Sequence, residues 1–143
     1  MTTARSGETG GARWSEIDEQ AAEWNIPATR MKMKKAYRVP LSAAALAVLK
    51  EAAVYKHRDV DLIFPSDART PLSVMTLTKV LRDMKLDCRV LGFRSTFAGR
   101  RGDETDYPEE IAEAALAHEV PYAVERAYRR TDFFTKRRAL MDD

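Results

Sequence analysis

The chain has 143 residues, of which 45% are hydrophobic and 32% are charged, and its net charge is +2. This length and composition fit one domain with its own core. No apolar run approaches the roughly 20 residues that a membrane span needs, and the N-terminus has no signal-peptide core. The single cysteine, Cys88, excludes an internal disulfide, and with only two histidines a structural zinc site is disfavoured. We therefore expect a cytoplasmic protein.

Charge is distributed unevenly along the chain. Four stretches are rich in arginine and lysine: 30–38, 93–101, 125–132 and 136–138. Each stretch alone is typical of a solvated face. Several basic stretches on one small domain favour a polyanionic partner.

The N-terminal part of the chain predicts little helix and three short strands. Three glycines within the first eleven residues weaken any helix there. AAEWNIPA (21–28) is short, has turn-forming residues at its edges and predicts one strand. RMKMKKAYRVPL (30–41) alternates apolar and polar residues and predicts two more strands around a basic turn.

The rest of the chain is predicted to be helical. Ser42 and Ser73 are good N-caps for helices over 42–56 and 73–86. The remaining predicted helices span 108–118, which starts with a proline, 121–130 and 132–141. The expected fold is mainly α with a small three-stranded antiparallel sheet, an α+β arrangement.

The stretch LGFRSTF (91–97) places Arg94 between two phenylalanines. A guanidinium keeps its charge and is seldom buried without a partner. Three kinds of anionic partner are open at this point: a carboxylate, the carboxy-terminal end of a helix, or a phosphate.

Four other residues are candidates for chemistry. They are Arg5, Lys32, His118 and Tyr128. Each also has an ordinary structural interpretation: in the same order, a frayed terminal residue, a surface hairpin lysine, a histidine that caps a helix and an amphipathic core tyrosine. No Gly-rich phosphate loop, paired-carboxylate array or Ser-His-Asp arrangement competes with them.

Five segments resemble, in their order and spacing, the catalytic domain of tyrosine site-specific recombinases, the phage integrase family. The prophage and genomic-island integrases are the most similar members. The segments are ARSGETGGARWSEID (4–18), IPATRMKMKKAYRVPLS (26–42), LIFPS with PLSVMTLTKVLRDM (62–84), LGFRSTF (91–97) and EAALAHEVPYAVERAYRRTDFFTKRRALM (113–141). The resemblance covers nearly the whole chain and implies action on double-stranded DNA.

The resemblance implies a role for each candidate residue. Arg5 and Arg94 correspond to the two arginines that clamp the non-bridging phosphate oxygens, where bidentate charged groups stabilise the transition state. Lys32 corresponds to the hairpin lysine that acts as general acid, and His118 to a hydrogen-bond donor. Tyr128 corresponds to the nucleophile that forms a 3′-phosphotyrosine. No metal or other cofactor is implied, because the guanidinium groups supply the positive charge.

The resemblance also implies supporting residues. Glu8 corresponds to the acid that supports the first arginine, and Lys34 is a substitute for the hairpin lysine. The residues implied to contact DNA are Lys34, Lys35, Arg129 and Arg130.

The chain departs from the family pattern in three ways. Leu91 stands where the family usually has a histidine, and leucine can neither donate a hydrogen bond nor exchange a proton. FAGRRGDETDYP (97–108) keeps the family's length but not its usual amino-acid sequence. A frameshifted or drifted segment at 97–104 would explain this difference. Residues 1–143 are interpreted as a single partial catalytic domain, without an N-terminal core-binding or arm-binding domain.

Two functions follow from the resemblance and its departures. The first is DNA integration by strand cleavage and rejoining. The second is that of a catalytically dead integrase remnant, which is either a DNA-binding fragment or a decayed reading frame. Family members assemble on DNA, often by exchanging the C-terminal helix, and residues 133–141 are expected to serve as that helix in a homo-oligomer.

Overall fold

The computed structural model of the chain describes residues 2–104, 107–118 and 132–142. In these ranges the helices α1–α6 are Ser6–Gly10, Ala43–Ala53, Val74–Asp83, Val90–Glu104, Glu109–Ala115 and Phe134–Asp142, and the strands β1–β3 are Ile17–Asp18, Glu23–Ile26 and Tyr37–Pro40. The predicted fold class, mainly α with a small three-stranded antiparallel sheet, is confirmed. None of the helices in the described ranges is long and apolar enough to cross a bilayer.

The sheet has the order β1-β2-β3, with both pairs antiparallel. Trp24, in the central strand, lies opposite Ile17 on one side and Val39 on the other. Along β2 the side chains alternate between buried and more exposed positions, as expected for a sheet with one face on the core.

One of the three predicted strands was wrong. Residues Ala28–Arg30 form a 3-10 turn and the chain continues as a loop to β3, whereas the third strand is Ile17–Asp18. The alternation of Met31 and Met33 had suggested a strand. Residues two apart on a strand share a face, but Met31 is buried and Met33 is exposed, so the burial of this segment does not alternate as a strand requires.

The predicted helix starts at Ser42 and Ser73 are confirmed. The hydroxyl of Ser42 accepts from the N–H of Ala45 at 3.3 Å, and that of Ser73 accepts from the N–H of Thr76 at 3.2 Å. α5 starts directly after its proline but ends three residues before the predicted 118, and α6 starts two residues after the predicted 132. The segment 97–104 continues α4.

The expectation of little helix near the N-terminus was wrong, because α1 occupies Ser6–Gly10. Its last glycine is required by packing. A Cβ on Gly10 would lie 2.8 Å from the carbonyl oxygen of Leu72, whose N–H in turn donates to the Gly10 carbonyl at 3.1 Å. The glycine thus lets two main chains approach closely, a tertiary gain that offsets its low helix propensity.

Two apolar clusters hold the described residues together. The first joins the sheet, α2 and the segment around Ile63, and it includes Trp24 and Val39. The second joins α5 and α6, with Phe97 of α4 at its edge. α6 also packs against β3, and α4 packs against α5. The end of α5 therefore lies between α4, the sheet and the C-terminal helix, where the candidate site is found.

Candidate functional site

Arg5 and Glu8 form the first part of the site, at the start of α1. The Glu8 carboxylate accepts from the main-chain N–H of Arg5 at 2.7 Å and from its Nη1 at 3.1 Å. The main-chain bond uses an N–H group at the helix start in the manner of a capping box. The same carboxylate therefore stabilises the helix start and holds the guanidinium, so Arg5 is not a frayed terminal residue.

Arg94 forms the second part of the site, on α4. Its Nη2 donates to the carbonyl oxygen of Leu116 at 2.6 Å, and its Nη1 donates to the carbonyl oxygen of Thr3. Leu116 directly follows the last residue of α5, where unpaired carbonyls carry partial negative charge. Of the three partners that the sequence left open for Arg94, the structure shows the carboxy-terminal end of a helix.

The end of α5 is a Schellman turn. The N–H of Ala117 donates to the carbonyl of Ala114 at 3.1 Å, and the N–H of His118 donates to that of Glu113 at 3.0 Å. Ala117 has a φ of 50°, the left-handed conformation that glycine usually supplies at this position. The exposed ring of His118 then follows the turn, with its Nδ1 2.8 Å from a Glu113 carboxylate oxygen.

Two hydroxyl groups hold the same helix end. The Thr3 hydroxyl donates to the carbonyl of Ala115 at 2.5 Å, and the Tyr37 hydroxyl lies 2.5 Å from the carbonyl oxygen of Ala114 and 3.0 Å from that of Ala115. Burial raises the pKa of Tyr37, and the charge of Arg137 offsets this only in part. The hydroxyl therefore stays protonated near neutral pH and remains a donor.

The charges around Arg94 favour an anion. Burial lowers the pKa of Arg94 and the charge of Arg5 lowers it further, while the negative charge of Glu8 opposes both effects. A guanidinium does not deprotonate at physiological pH, so Arg94 stays positively charged in an environment that disfavours its charge. A phosphate between the two arginines would relieve their repulsion and accept bidentate hydrogen bonds.

Lys32 is not part of this arrangement. It lies on the exposed loop between β2 and β3, together with Lys34 and Lys35. Among the described residues, Lys32 forms no ion pair with Glu8 or Glu113 and no hydrogen bond with the carbonyls that hold Arg94.

Leu91 lies one helical turn before Arg94 on α4, and its side chain is 72% exposed. Residues three apart on a helix share a face, so an apolar side chain occupies solvent-accessible surface on the Arg94 side of α4. Phe93 is also exposed, whereas Phe97 packs against the α5–α6 cluster.

Three implied residues, Tyr128, Arg129 and Arg130, lie outside the described residues, as does the predicted helix over 121–130. In the part of the chain that the structure describes, no three His, Cys, Asp or Glu side chains come together as metal ligands would.

Arginines from two of the basic stretches turn inward, which the sequence analysis missed. Arg30 forms an ion pair with Glu16 and donates to the carbonyl of Glu8. Arg137 is 1% exposed. Its Nη1 donates to the Tyr37 hydroxyl and to the carbonyl of Arg38, both at 2.8 Å. The lysines of the β2–β3 loop are exposed, so these stretches are not uniform basic surfaces.

One sequence signal could have indicated the inward arginines at the C-terminus. Phe133 and Phe134 directly precede the KRR stretch, and arginine stacks on aromatic rings. The Cζ atoms of Arg137 and Arg138 indeed lie 5.5 Å and 5.1 Å from the centre of the Phe134 ring.

Comparison with known proteins adds to this geometry. Residues 1–133 match the sequence model of the phage integrase family. The chain is 39% identical to the prophage integrase IntA of Escherichia coli (strain K12), an alignment that covers 99% of this chain and 35% of that protein. It is 32% identical to the integrase of Enterobacteria phage P4, with 99% and 36% covered. The chain thus spans about a third of the length of these relatives.

Among solved structures, the crystal structure of XerA recombinase is similar in fold. The TM-score is 0.64, and the match covers 91% of this chain and 49% of that chain at 19% sequence identity. A likeness at this level of identity shows the fold.

Proposed function

Because this chain belongs to the phage integrase family, we propose that it cleaves and rejoins strands of double-stranded DNA through a covalent 3′-phosphotyrosine. The observation that supports the proposal most directly is that Arg94 donates to the carbonyl of Thr3, two residues before Arg5, which brings two cations from distant parts of the chain to one region. Each is held by its own set of acceptors, Glu8 for one and two main-chain carbonyls for the other. Preorganised cations of this kind stabilise charge that develops on phosphate oxygens.

In the proposed reaction the oxygen of Tyr128 attacks phosphorus after its proton passes to solvent. The bond between phosphorus and the 5′ oxygen breaks, and Lys32 gives a proton to that leaving oxygen. Rejoining reverses the step: a 5′ hydroxyl attacks the phosphotyrosine, its proton returns to Lys32, and the bond to Tyr128 breaks. Arg5, Arg94 and His118 bind the non-bridging oxygens throughout.

The proposed role of Lys32 has a structural requirement. Lys32 lies on the exposed β2–β3 loop and shares no acceptor with the arginines, so its ammonium group must come within hydrogen-bond distance of the leaving oxygen when DNA is bound. Lys34 and Lys35, on the same loop, and Arg129 and Arg130 would then contact flanking phosphates.

The experiment for strand cleavage is covalent capture. A library of nicked duplexes, randomised on both sides of the nick, is incubated with the protein, and the DNA that remains bound after denaturation is sequenced. The nick lets the short cleaved fragment diffuse away, so the covalent product accumulates. We expect an adduct from the wild type that is lost in Tyr128→Phe. The absence of any wild-type adduct, or an equal amount from Tyr128→Phe, would refute the proposal.

The role of Lys32 has a separate test. Once the capture experiment has selected a substrate, the 5′ bridging oxygen is replaced by sulfur, whose thiol has a pKa near 8.5 and leaves without a general acid. Lys32→Ala should then cleave the oxygen substrate slowly and the sulfur substrate at the wild-type rate. Lys34→Ala, which removes a lysine proposed to contact a flanking phosphate, should affect both substrates alike. A Lys32→Ala defect that persists on the sulfur substrate would assign Lys32 to phosphate binding instead.

A second function, that of a DNA-binding remnant without chemistry, is favoured by Leu91. Its exposed apolar side chain lies beside Arg94, where the family usually has a histidine. This function predicts salt-dependent DNA binding without an adduct. The double variant Lys34→Ala/Lys35→Ala should reduce the slope of log K against log salt by about 2, since each phosphate contact contributes about 0.9. An affinity that does not change with salt would exclude both functions.

Assembly on DNA by exchange of the C-terminal helix is a further part of the proposal. Within this chain α6 packs against β3 and α5. An exchange would require the buried Arg137 of one copy to occupy the equivalent place beside Tyr37 of another. Light scattering of the protein with and without its selected DNA is the test, and a particle that stays monomeric on DNA would contradict this part.

A further inference from the structure

The carbonyl end of α5 is held by side chains from three other parts of the chain. Thr3 donates to Ala115 and Arg94 donates to Leu116. The Tyr37 hydroxyl lies within hydrogen-bond distance of two of these carbonyls. Behind Tyr37 stands Arg137 of the C-terminal helix, whose Nη1 lies 2.8 Å from the hydroxyl oxygen. Contacts therefore continue from α6, through Tyr37 and the α5 end, to Arg94.

We infer that Tyr37 is a positioning residue for the phosphate site, whose hydroxyl couples the docking of α6 to the placement of Arg94 and His118. The inference rests on the proposed function, since it assigns a role within that site. Tyr37 would not touch the DNA. It would act through the end of α5.

The hydrogen-bond directions around Tyr37 support this role. An arginine can only donate, so the hydroxyl oxygen accepts from Arg137 and its single proton points toward the carbonyls of Ala114 and Ala115. The hydroxyl therefore connects Arg137 on one side to the end of α5 on the other. Arg137 is almost completely buried, and the carbonyls of Asp132 and Arg38 hold its guanidinium in place.

The Schellman turn explains how such a contact can act on neighbouring residues. Ala114 provides both a carbonyl next to Tyr37 and the acceptor for the Ala117 N–H. A displaced helix end would therefore move the Leu116 carbonyl, which Arg94 contacts, and the His118 main chain, which closes the turn. Both candidate phosphate ligands depend on the same few carbonyls.

The ordinary alternative is that Tyr37 only packs. Its ring lies at the edge of the first apolar cluster. Tyr37→Phe separates the two explanations, because phenylalanine keeps the ring and removes only the hydroxyl. Tyr55→Phe makes the same chemical change on a side chain that is 82% exposed, and is the matched control.

The first measurement uses the free protein and does not require activity. Amide hydrogen exchange at residues 117 and 118 and the guanidinium resonances of Arg94 are followed by NMR. In Tyr37→Phe we expect exchange of these two amides to become about tenfold faster, as for the loss of one hydrogen bond, and the Arg94 resonances to shift or broaden. Tyr55→Phe should leave both unchanged. Unchanged amides and Arg94 resonances in Tyr37→Phe would overturn the inference.

The second measurement uses the covalent adduct on the selected substrate. Tyr37→Phe should reduce the rate of adduct formation at saturating protein about tenfold while the apparent DNA affinity stays within about twofold, because only the placement of the site has changed. Arg137→Lys alone should also reduce the rate of adduct formation. Added to Tyr37→Phe, it should reduce the rate no further. An unchanged rate in Tyr37→Phe, or a loss of affinity alone, would refute the inference.

The two measurements keep the inference separate from the proposed function. If the wild type forms no adduct, the proposed chemistry fails, and the NMR result still decides whether Tyr37 positions Arg94. If the wild type forms an adduct and Tyr37→Phe forms it equally fast, the chemistry stands and the inference fails.

Discussion

Arg94 lies on the carbonyl end of α5, with its Nη2 2.6 Å from the carbonyl oxygen of Leu116. A fixed positive charge at a helix C-terminus is stabilised by the helix dipole. The guanidinium is therefore oriented before a phosphate binds. It has five N–H donors, and its bonds to the carbonyls of Thr3 and Leu116 use two of them. A phosphate would meet a cation whose ordering cost is already met by the fold.

Arg94→Lys tests this dual role. A lysine keeps the charge, but its single nitrogen cannot replace a planar fork that reaches the carbonyls of both Thr3 and Leu116. We expect the free energy of unfolding to fall by about 1–3 kcal/mol, the cost of hydrogen bonds to a charged group. Urea denaturation measures this. Arg82→Lys, on the exposed surface of α3, should change stability little, and equal effects at the two positions would contradict the assignment.

Glu8→Gln tests the support of Arg5. The carboxylate accepts both the main-chain N–H and the guanidinium of Arg5, and its side chain is only 8% exposed. The glutamine amide keeps one acceptor oxygen, but its NH₂ group would face an N–H donor of Arg5. We therefore expect a loss of about 1–2 kcal/mol in unfolding free energy. Glu51→Gln, exposed on α2, is the control. If Glu8→Gln is as stable as the wild type, Glu8 does not hold Arg5.

Gly10→Ala tests the close approach of α1 to Leu72. The new Cβ would lie 2.8 Å from a main-chain carbonyl oxygen, which cannot rotate away, so we expect a loss of about 1–3 kcal/mol. Gly7→Ala is a control within the same helix. Its Cβ would have 4.0 Å to the nearest atom, Cγ2 of Val74, and alanine's higher helix propensity should stabilise the protein by up to about 1 kcal/mol. The measurement is the thermal unfolding temperature of both variants. A change of the same sign at both positions would contradict the proposed close approach at Gly10.

The features that the sequence predicted correctly are those that depend on near neighbours. Ser42 and Ser73 cap helices by bonding to an N–H three residues away, so the local text is sufficient. The resemblance to a family supplied the pairing of Arg5 with Glu8, and the structure shows that contact.

The features that the sequence missed depend on distant residues. The loop at 31–33 resembles a strand in its alternation, but Arg30 is drawn toward Glu16 and the carbonyl of Glu8, which lie 14 and 22 positions earlier. The carbonyl partners of Arg94 are 22 and 91 positions away. The local sequence indicates that Arg94 needs an anionic partner. Only the tertiary fold determines whether that partner is a carboxylate, a helix C-terminus or a phosphate.

Asp132 predicts part of the acid dependence of stability. Burial opposes its ionisation, but hydrogen bonds from Arg38 and the main-chain N–H of Phe134, together with the arginine charges, outweigh burial and lower the pKa of Asp132. In the unfolded chain the same carboxyl has a pKa of about 3.9 and takes up its proton at higher pH. The interactions of ionised Asp132 therefore stabilise the fold above about pH 4, and this contribution is lost as pH falls toward the folded-state pKa of Asp132.

Asp132→Asn should remove that contribution. Because the Asp132 side chain is 47% exposed, solvent screening limits the loss at neutral pH to about 1 kcal/mol or less. The difference in stability between variant and wild type should shrink as pH is lowered from 5 toward about 2. Asp59→Asn, at an exposed position, should give a constant difference. A wild-type advantage that grows on acidification would contradict the sign.

Leu91→His tests whether the exposed leucine limits the site. The substitution introduces a hydrogen-bond donor one turn before Arg94 on the same side of α4, and its effect on the helix is small, about 0.5 kcal/mol, because the position is solvent-accessible. If the arginines bind the scissile phosphate, a histidine here can donate to the same oxygens. We expect the rate of adduct formation to rise by up to about 100-fold, the lower end of the effect of one positioned donor or acid. Phe93→His places the same side chain on an exposed position of α4 that faces elsewhere, and it should not accelerate the reaction. A stable Leu91→His variant with no gain, or an equal gain from Phe93→His, would show that position 91 does not face the phosphate.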